Sequence, residues 1–278
     1  MNNSISKKII GVFSKKKKAL KELLLVKKIR VGFKKNEFKM HLQFIVENKT
    51  KKIVSAEALS RWEDSAGGVI FPGEYIGVME RSGIIVKFDY YMFEKVCQKL
   101  AEWKGTEFDS LTISCNLTRI TICDNGFISK IKKIADKYDF DRRRLLIEIT
   151  EDSIEKDMKI ARENVIKIKD MGFRIAIDDI GSGYTSMKNL GDYPVDVVKI
   201  DRDVLLMTEE ESGKLLFNGI VSLIHSLGKK AVCEGVETVD QNDFVSASEC
   251  DYIQGWYYTK ALPEGDAENF VREYMKKV

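Results

Sequence analysis

The 278-residue chain is 44% hydrophobic and 32% charged, which suits one large domain able to bury its own core without staples. Its five cysteines are odd in number and widely spaced, which favours free thiols over a disulfide framework, and with only His41 and His225 present a histidine zinc site is not expected. No apolar run approaches the ~18 residues of a membrane span and no secretory cleavage pattern opens the chain, so the expected location is the cytoplasm.

In chain order, the first feature is electrostatic. Residues 1–35 hold twelve Lys/Arg and one acid, Glu22, a net charge of +11, so residues 36–278 carry −8. This basic stretch, with Lys15 to Lys18 and the amphipathic Ala19–Leu24, reads as a solvated lead-in helix ahead of a domain spanning 36–278. Contact of that helix with an anionic membrane surface is the alternative. The acidic remainder gives no support for a nucleic-acid polymer as partner.

From residue 38 onward, runs of strand length alternate with stretches of helical period. Strands are expected at Lys39–Val46, Ile53–Leu59, Leu111–Leu117, Leu145–Thr150, Phe173–Asp178, Val195–Ile200, Lys230–Glu234 and Asp251–Gln254. Helices are expected at Phe88–Trp103, Gly126–Tyr138, Ile154–Met171, Ser212–Leu227 and Val239–Glu249. Eight strands with helices between most of them predict a single α/β barrel of the TIM type. Only Glu47 to Lys52 separate the first two strands, and a parallel crossover takes about a dozen residues or more, so that pair is predicted to be antiparallel.

Polar residues collect at the C-terminal ends of these strands: Glu57, Asn116, Glu148 to Glu151, Asp178-Asp179, Lys199 to Asp201, Glu234 and Gln254. Taken singly, each has a plain reading as a solvated strand end or a turn. In a barrel, however, these ends converge on one face, where crowded carboxylates repel unless cations lie between them. Oxygen ligands without histidine or thiolate select Mg²⁺ or Mn²⁺.

Glu57-Ala58-Leu59 followed by Arg61-Trp62 resembles the signature of the EAL domains. The resemblance covers about residues 36–265. It continues through Gln43, Asn116-Leu117, Glu148-Ile149-Thr150-Glu151, Asp178-Asp179-Ile180-Gly181-Ser182-Gly183-Tyr184, Lys199-Ile200-Asp201, Glu234-Gly235-Val236-Glu237 and Gln254-Gly255. It implies a modified (β/α) barrel that hydrolyses cyclic di-GMP to linear pGpG with two Mg²⁺ or Mn²⁺ ions. By the same resemblance Glu57, Asn116, Glu148 and Asp178 would hold one ion, while Asp178 would bridge to a second held by Asp179, with Glu234 nearby. Lys199 would orient or deprotonate the attacking water, with Glu57 and Glu234 also counted in the catalytic set. Gln43, Arg61 and Gln254 would contact the substrate or its water. Glu151 and Asp201 would support the Asp179–Ser186 loop, which the family uses to couple the site to a homodimer partner. A sensor or signalling partner upstream is implied too.

The loop departs from the family pattern at Ile180, which replaces an aromatic residue, while Ser182 and Thr185 keep their hydroxyls. No ligand position is lost. The alternative reading is a catalytically weak EAL domain that serves as a cyclic di-GMP receptor.

Overall fold

The computed structural model describes residues 19–65, 67–150, 158–181, 191 and 194–278. They form two compact units. One comprises the chain up to Lys39 with Ser60–Ile85; the other comprises Met40–Leu59 with Val86–Val278.

The larger unit holds a closed barrel. Its strands are β1 (Phe38–Glu47), β2 (Ile53–Asp64), β4 (Thr112–Asn116), β5 (Leu145–Thr150), β6 (Arg174–Ile180), β7 (Val197–Ile200), β8 (Lys230–Cys233) and β9 (Tyr252–Gln254). They run in the order β1-β9-β8-β7-β6-β5-β4-β2, and β2 pairs back onto β1. All neighbours from β2 round to β9 are parallel, whereas β1 is antiparallel to β9 and hence to β2. The reason is the one the sequence offers. The connection is a tight turn, with Glu47 N–H donating to Lys52 C=O at 2.9 Å and Lys51 in the left-handed region. A two-residue strand, β10 (Leu262–Pro263), pairs antiparallel with β1 at His41 and Leu42.

The expected strands and helices are present, with shifted ends. Helices α3 (Ile85–Trp103), α5 (Phe127–Ala135), α6 (Met158–Asp170), α8 (Glu211–Ser226) and α9 (Val239–Ala247) follow the predicted periods. Unforeseen are the short α4 (Arg119–Ile122) and α7 (Arg202–Leu206), and the longer α10 (Glu264–Met275), which buries Ala267 and Val271. Inside the barrel the pleat alternates faces, and one apolar layer consists of Ile45, Leu146, Ala176, Val197 and Val232.

The smaller unit contains α1 at 19–34, the outer end of β2, the strand β3 (Gly68–Ile70) paired antiparallel to it, and α2 (Pro72–Arg81). Its core is aromatic. Phe38, Trp62 and Tyr75 are buried with ring centroids 5.2–5.9 Å apart, and Ile29 of α1 is fully buried. Gly32 lets α1 approach closely, since a Cβ there would lie 3.0 Å from both the Glu37 carboxylate and the Trp62 indole nitrogen. Among the described residues no helix is long and apolar enough to cross a membrane.

Candidate active site

Two positions along each strand separate the apolar layer from a charged one. Leu146 is followed on the same inner face by Glu148, Ala176 by Asp178, Val197 by Lys199 and Val232 by Glu234. Parallel register then brings these ends together, as the pairing of Asn116 with Glu148 shows. The apolar layer fixes the strands; the next layer carries the chemistry.

At its centre lies Lys199, 1% exposed. Its Nζ is 2.7 Å from Glu234, 3.1 Å from Glu148, and 3.2 Å from both Glu57 and Asp178. Glu57 is pinned further, since Asn116 Nδ2 donates to its Oε1 at 2.8 Å and Gln254 Nε2 to its Oε2 at 2.7 Å. Gln254 Nε2 also approaches Gln43 Oε1 at 3.5 Å, and Gln43 donates its own amide to the Thr259 carbonyl at 3.2 Å.

Consecutive residues of a regular strand face opposite ways, yet Asp178, Asp179 and Glu234 present carboxylate oxygens within 4.8 Å of one another. Two irregularities account for this. The β6–β7 register shifts between Ile177 and Ile180, and Asp179 sits at φ +63°. Strain of this kind concentrates at functional sites.

Burial sets the protonation of the cluster. It works against the charge of Glu57, but Lys199 with the bonds from Gln254 and Asn116 prevails and holds that carboxyl below its usual range. Burial, then the charge of Glu57, drives Glu148 well up. Burial pushes Glu234 up to about 8, and burial with the neighbouring Asp178 pushes Asp179 up to about 6. Burial would strip Lys199 of its proton, but Asp178, Glu148, Glu234 and Glu57 outweigh it and raise the amine well above its ordinary value.

Five carboxylates against one ammonium leave four formal negative charges when all are ionised, the charge two divalent cations would balance. Among the described residues the buried oxygens Glu148 Oε1 and Gln254 Oε1 have no hydrogen-bond partner. Unsatisfied buried acceptors in an all-oxygen donor set fit a hard cation such as Mg²⁺ or Mn²⁺.

The structure thus brings together Gln43, Glu57, Asn116, Glu148, Asp178, Asp179, Lys199, Glu234 and Gln254. Arg61 belongs to the smaller unit, where Nη1 donates to the Ser60 carbonyl and the guanidinium lies 5.2 Å over the Phe71 ring. Asp201 caps α7, accepting from the Asp203 N–H at 2.7 Å. Glu151 and residues 182–186 of the loop lie outside the described residues.

One supporting residue escaped the sequence reading. Asp89, buried on α3, accepts from the Thr118 N–H and from the hydroxyls of Thr118 and Thr121, fixing the turn that follows Asn116. An aspartate within a helical period carries no signal of that role, because its partners lie about thirty residues away in the chain.

The EAL domain family model matches residues 26–261. The chain is 26% identical over 88% of its length to a bifunctional diguanylate cyclase/cyclic di-GMP phosphodiesterase, MucR, of Pseudomonas aeruginosa, of which it covers 36%. It is 31% identical over 84% of its length to the uncharacterized protein Rv1357c of Mycobacterium tuberculosis, covering 78% of it. The solved PaMucR phosphodiesterase in complex with c-di-GMP matches with a TM-score of 0.83 at 26% identity, over 88% of this chain and 99% of that one. The chain spans about a third of the length of several curated relatives, MucR among them.

Proposed function

The chain belongs to the EAL domain family, and from that premise we propose that it hydrolyses one phosphodiester bond of cyclic di-GMP to give linear pGpG. The observation that carries this reading is the buried Lys199 ringed by four carboxylates, with acceptor oxygens left over. Family membership supplies the substrate class, since relatives are named cyclic di-GMP phosphodiesterases and a similar structure holds the dinucleotide.

Glu57, Asn116, Glu148, Asp178, Asp179 and Glu234 are the proposed ligands of two Mg²⁺ or Mn²⁺ ions. Such ions, when bound, supply an acidified water and neutralise phosphoryl charge. The residues do the rest. Lys199 points its ammonium among the carboxylates, where it orients the attacking water by donating a hydrogen bond to its oxygen, and adds positive charge toward the phosphoryl oxygens. Asn116 and Gln254 hold Glu57 in one rotamer, so its oxygens meet the reacting centre without reorganisation. Gln43 and Gln254, linked to each other, and Arg61 are the proposed contacts to substrate. In the reaction a water oxygen bonds to phosphorus, the bond to the ribose oxygen breaks, and the proton released from water ends on that oxygen.

All proposed ligand positions keep their carboxylate or amide, which favours the hydrolase over the receptor reading. A homodimer and an upstream signalling partner remain part of the proposal. The test is direct: purified protein is incubated with cyclic di-GMP and Mn²⁺ or Mg²⁺, and the products are separated. Linear pGpG is expected, with little formed in Ca²⁺, whose larger and looser shell misplaces the nucleophile. Binding without turnover in either ion would replace the hydrolase by the receptor, and full turnover in excess chelator after metal stripping would remove the ions.

A further inference from the structure

Helix α1 has two apolar faces, and among the described residues only one of them is covered. Ile29 and Gly32 are buried against the smaller unit's aromatic core, with Leu25 and Phe33 half-buried beside them. On the opposite side Leu20, Leu23, Leu24 and Val31 are 47–58% exposed. Their spacing of three, four and eleven residues from Leu20 places them in one stripe.

The flanks of that stripe are basic on both sides. Lys21 borders one edge and Arg30 the other, while Lys27 and Lys34 fall within the stripe itself. None of these four has an ion-pair partner among the described residues. Lys28, next along the first edge, bridges to Asp64 at 2.5 Å. The helix's acid, Glu22, lies on the covered side and pairs with Arg81 at 2.7 Å. An exposed apolar stripe flanked by and interspersed with unpaired cations, with no acid on that half of the helix, matches an interfacial membrane helix.

We propose that α1 docks on an anionic lipid surface, with Leu20, Leu23, Leu24 and Val31 entering the headgroup boundary and Lys21, Lys27, Arg30 and Lys34 meeting lipid phosphates. Pairing with a second copy of α1 fits less well. Lys27 interrupts the stripe at the place where a coiled-coil seam needs an apolar residue, and flanks of one sign would repel across such a seam. This inference stands apart from the proposed hydrolysis, because it uses no residue of the charged cluster.

The experiment is flotation of the full chain with vesicles of phosphatidylcholine alone, and with about a third phosphatidylglycerol added. Binding is expected to the anionic vesicles only, and to weaken at least tenfold when ionic strength rises toward 1 M, where the Debye length is only about 3 Å. The double variant Leu20→Glu/Leu24→Glu should lose binding more than tenfold while keeping the wild-type far-UV spectrum and melting temperature, since both side chains are exposed. A second variant, Lys27→Glu/Arg30→Glu, should lose affinity for anionic vesicles while every apolar residue of the stripe is kept. Unchanged binding by both variants would overturn the proposal. So would a wild-type chain that ignores the vesicles, including one that sediments as a dimer which Leu20→Glu/Leu24→Glu dissociates, the mark of a self-association surface.

Discussion

A lysine buried to 1% exposure loses several kcal/mol of hydration, and only opposite charge at short range offsets that loss. Lys199 has four such partners, and they need it as much as it needs them. Lys199→Met should therefore destabilise the metal-free protein by about 3–5 kcal/mol, the usual cost of leaving buried charge unpaired. Mg²⁺ should restore part of the loss, because cations can take over the neutralising role. Thermal melts with and without Mg²⁺ check both statements, and a variant as stable as the parent in chelator would show that the cluster is not ionised as drawn. The pH dependence has a definite sign. Asp179 and Glu234, raised to about 6 and about 8, hold their protons more tightly folded than unfolded. The stability they contribute is present in acid and is lost as pH rises from the ordinary carboxylate range through about 8. The melting temperature of chelated protein should accordingly fall across that window, and the rise on adding Mg²⁺ should be larger at about pH 8 than at about pH 6. An equal rise at both values would mean that ion binding displaces no protons from these groups.

Elements decide how the charged residues reach their places, and here glycine matters at one position above others. A Cβ on Gly255 would sit 2.0 Å from the Val236 carbonyl oxygen and 2.4 Å from its nitrogen. Gly255 thus permits the close passage of the β9 end beside Val236, whose N–H donates to Gln254 C=O at 3.2 Å. Gly255→Ala should cost about 2–3 kcal/mol and lower kcat, because Gln254 would no longer hold Glu57. Gly265→Ala, with open space around it in α10, is the matched control and should leave both the melting temperature and kcat near the parent values. The same element scale shows why much of the fold was legible. Barrel strands buried on both faces read as apolar runs such as Leu145-Leu146-Ile147, and a six-residue connection could not be a crossover. Helix α10 was missed because its periodic residues, Ala267 and Val271, are few among charges, and Trp103 and Lys99 anchor it from far away in sequence. The bulge at Asp178-Asp179 was equally hidden: a strand-end Asp-Asp followed by glycine looks like any turn, and only the shifted register aims both carboxylates one way.

At the scale of the whole molecule, the linear order interleaves two units. Every proposed ion ligand and Lys199 fall in the unit of Met40–Leu59 and Val86–Val278. Arg61 falls in the other, which β2 enters after Leu59. The sequence alone suggests that residues 1–30 can be deleted with little loss, since the segment is rich in solvated lysine and precedes the first strand. Burial of Ile29 changes the expected result. Deleting residues 1–30 removes most of α1 and with it a fully buried side chain, whose truncation alone typically costs about 2–5 kcal/mol. The smaller unit should therefore lose protection of its amide hydrogens, with Trp62 and Tyr75 exposed to solvent, while strands β4 to β8 keep theirs. Addition of Mg²⁺ should still raise protection around Glu148 and Asp178 in the truncated chain, because the proposed ligands are all retained. Hydrogen exchange read segment by segment separates these outcomes. Loss of Mg²⁺-dependent protection in β5 and β6 on truncation would show that the barrel depends on α1 for its own folding. Unchanged exchange at Trp62 and Tyr75 would show instead that the aromatic core holds without the helix, and that α1 is the solvated lead-in its lysines suggest.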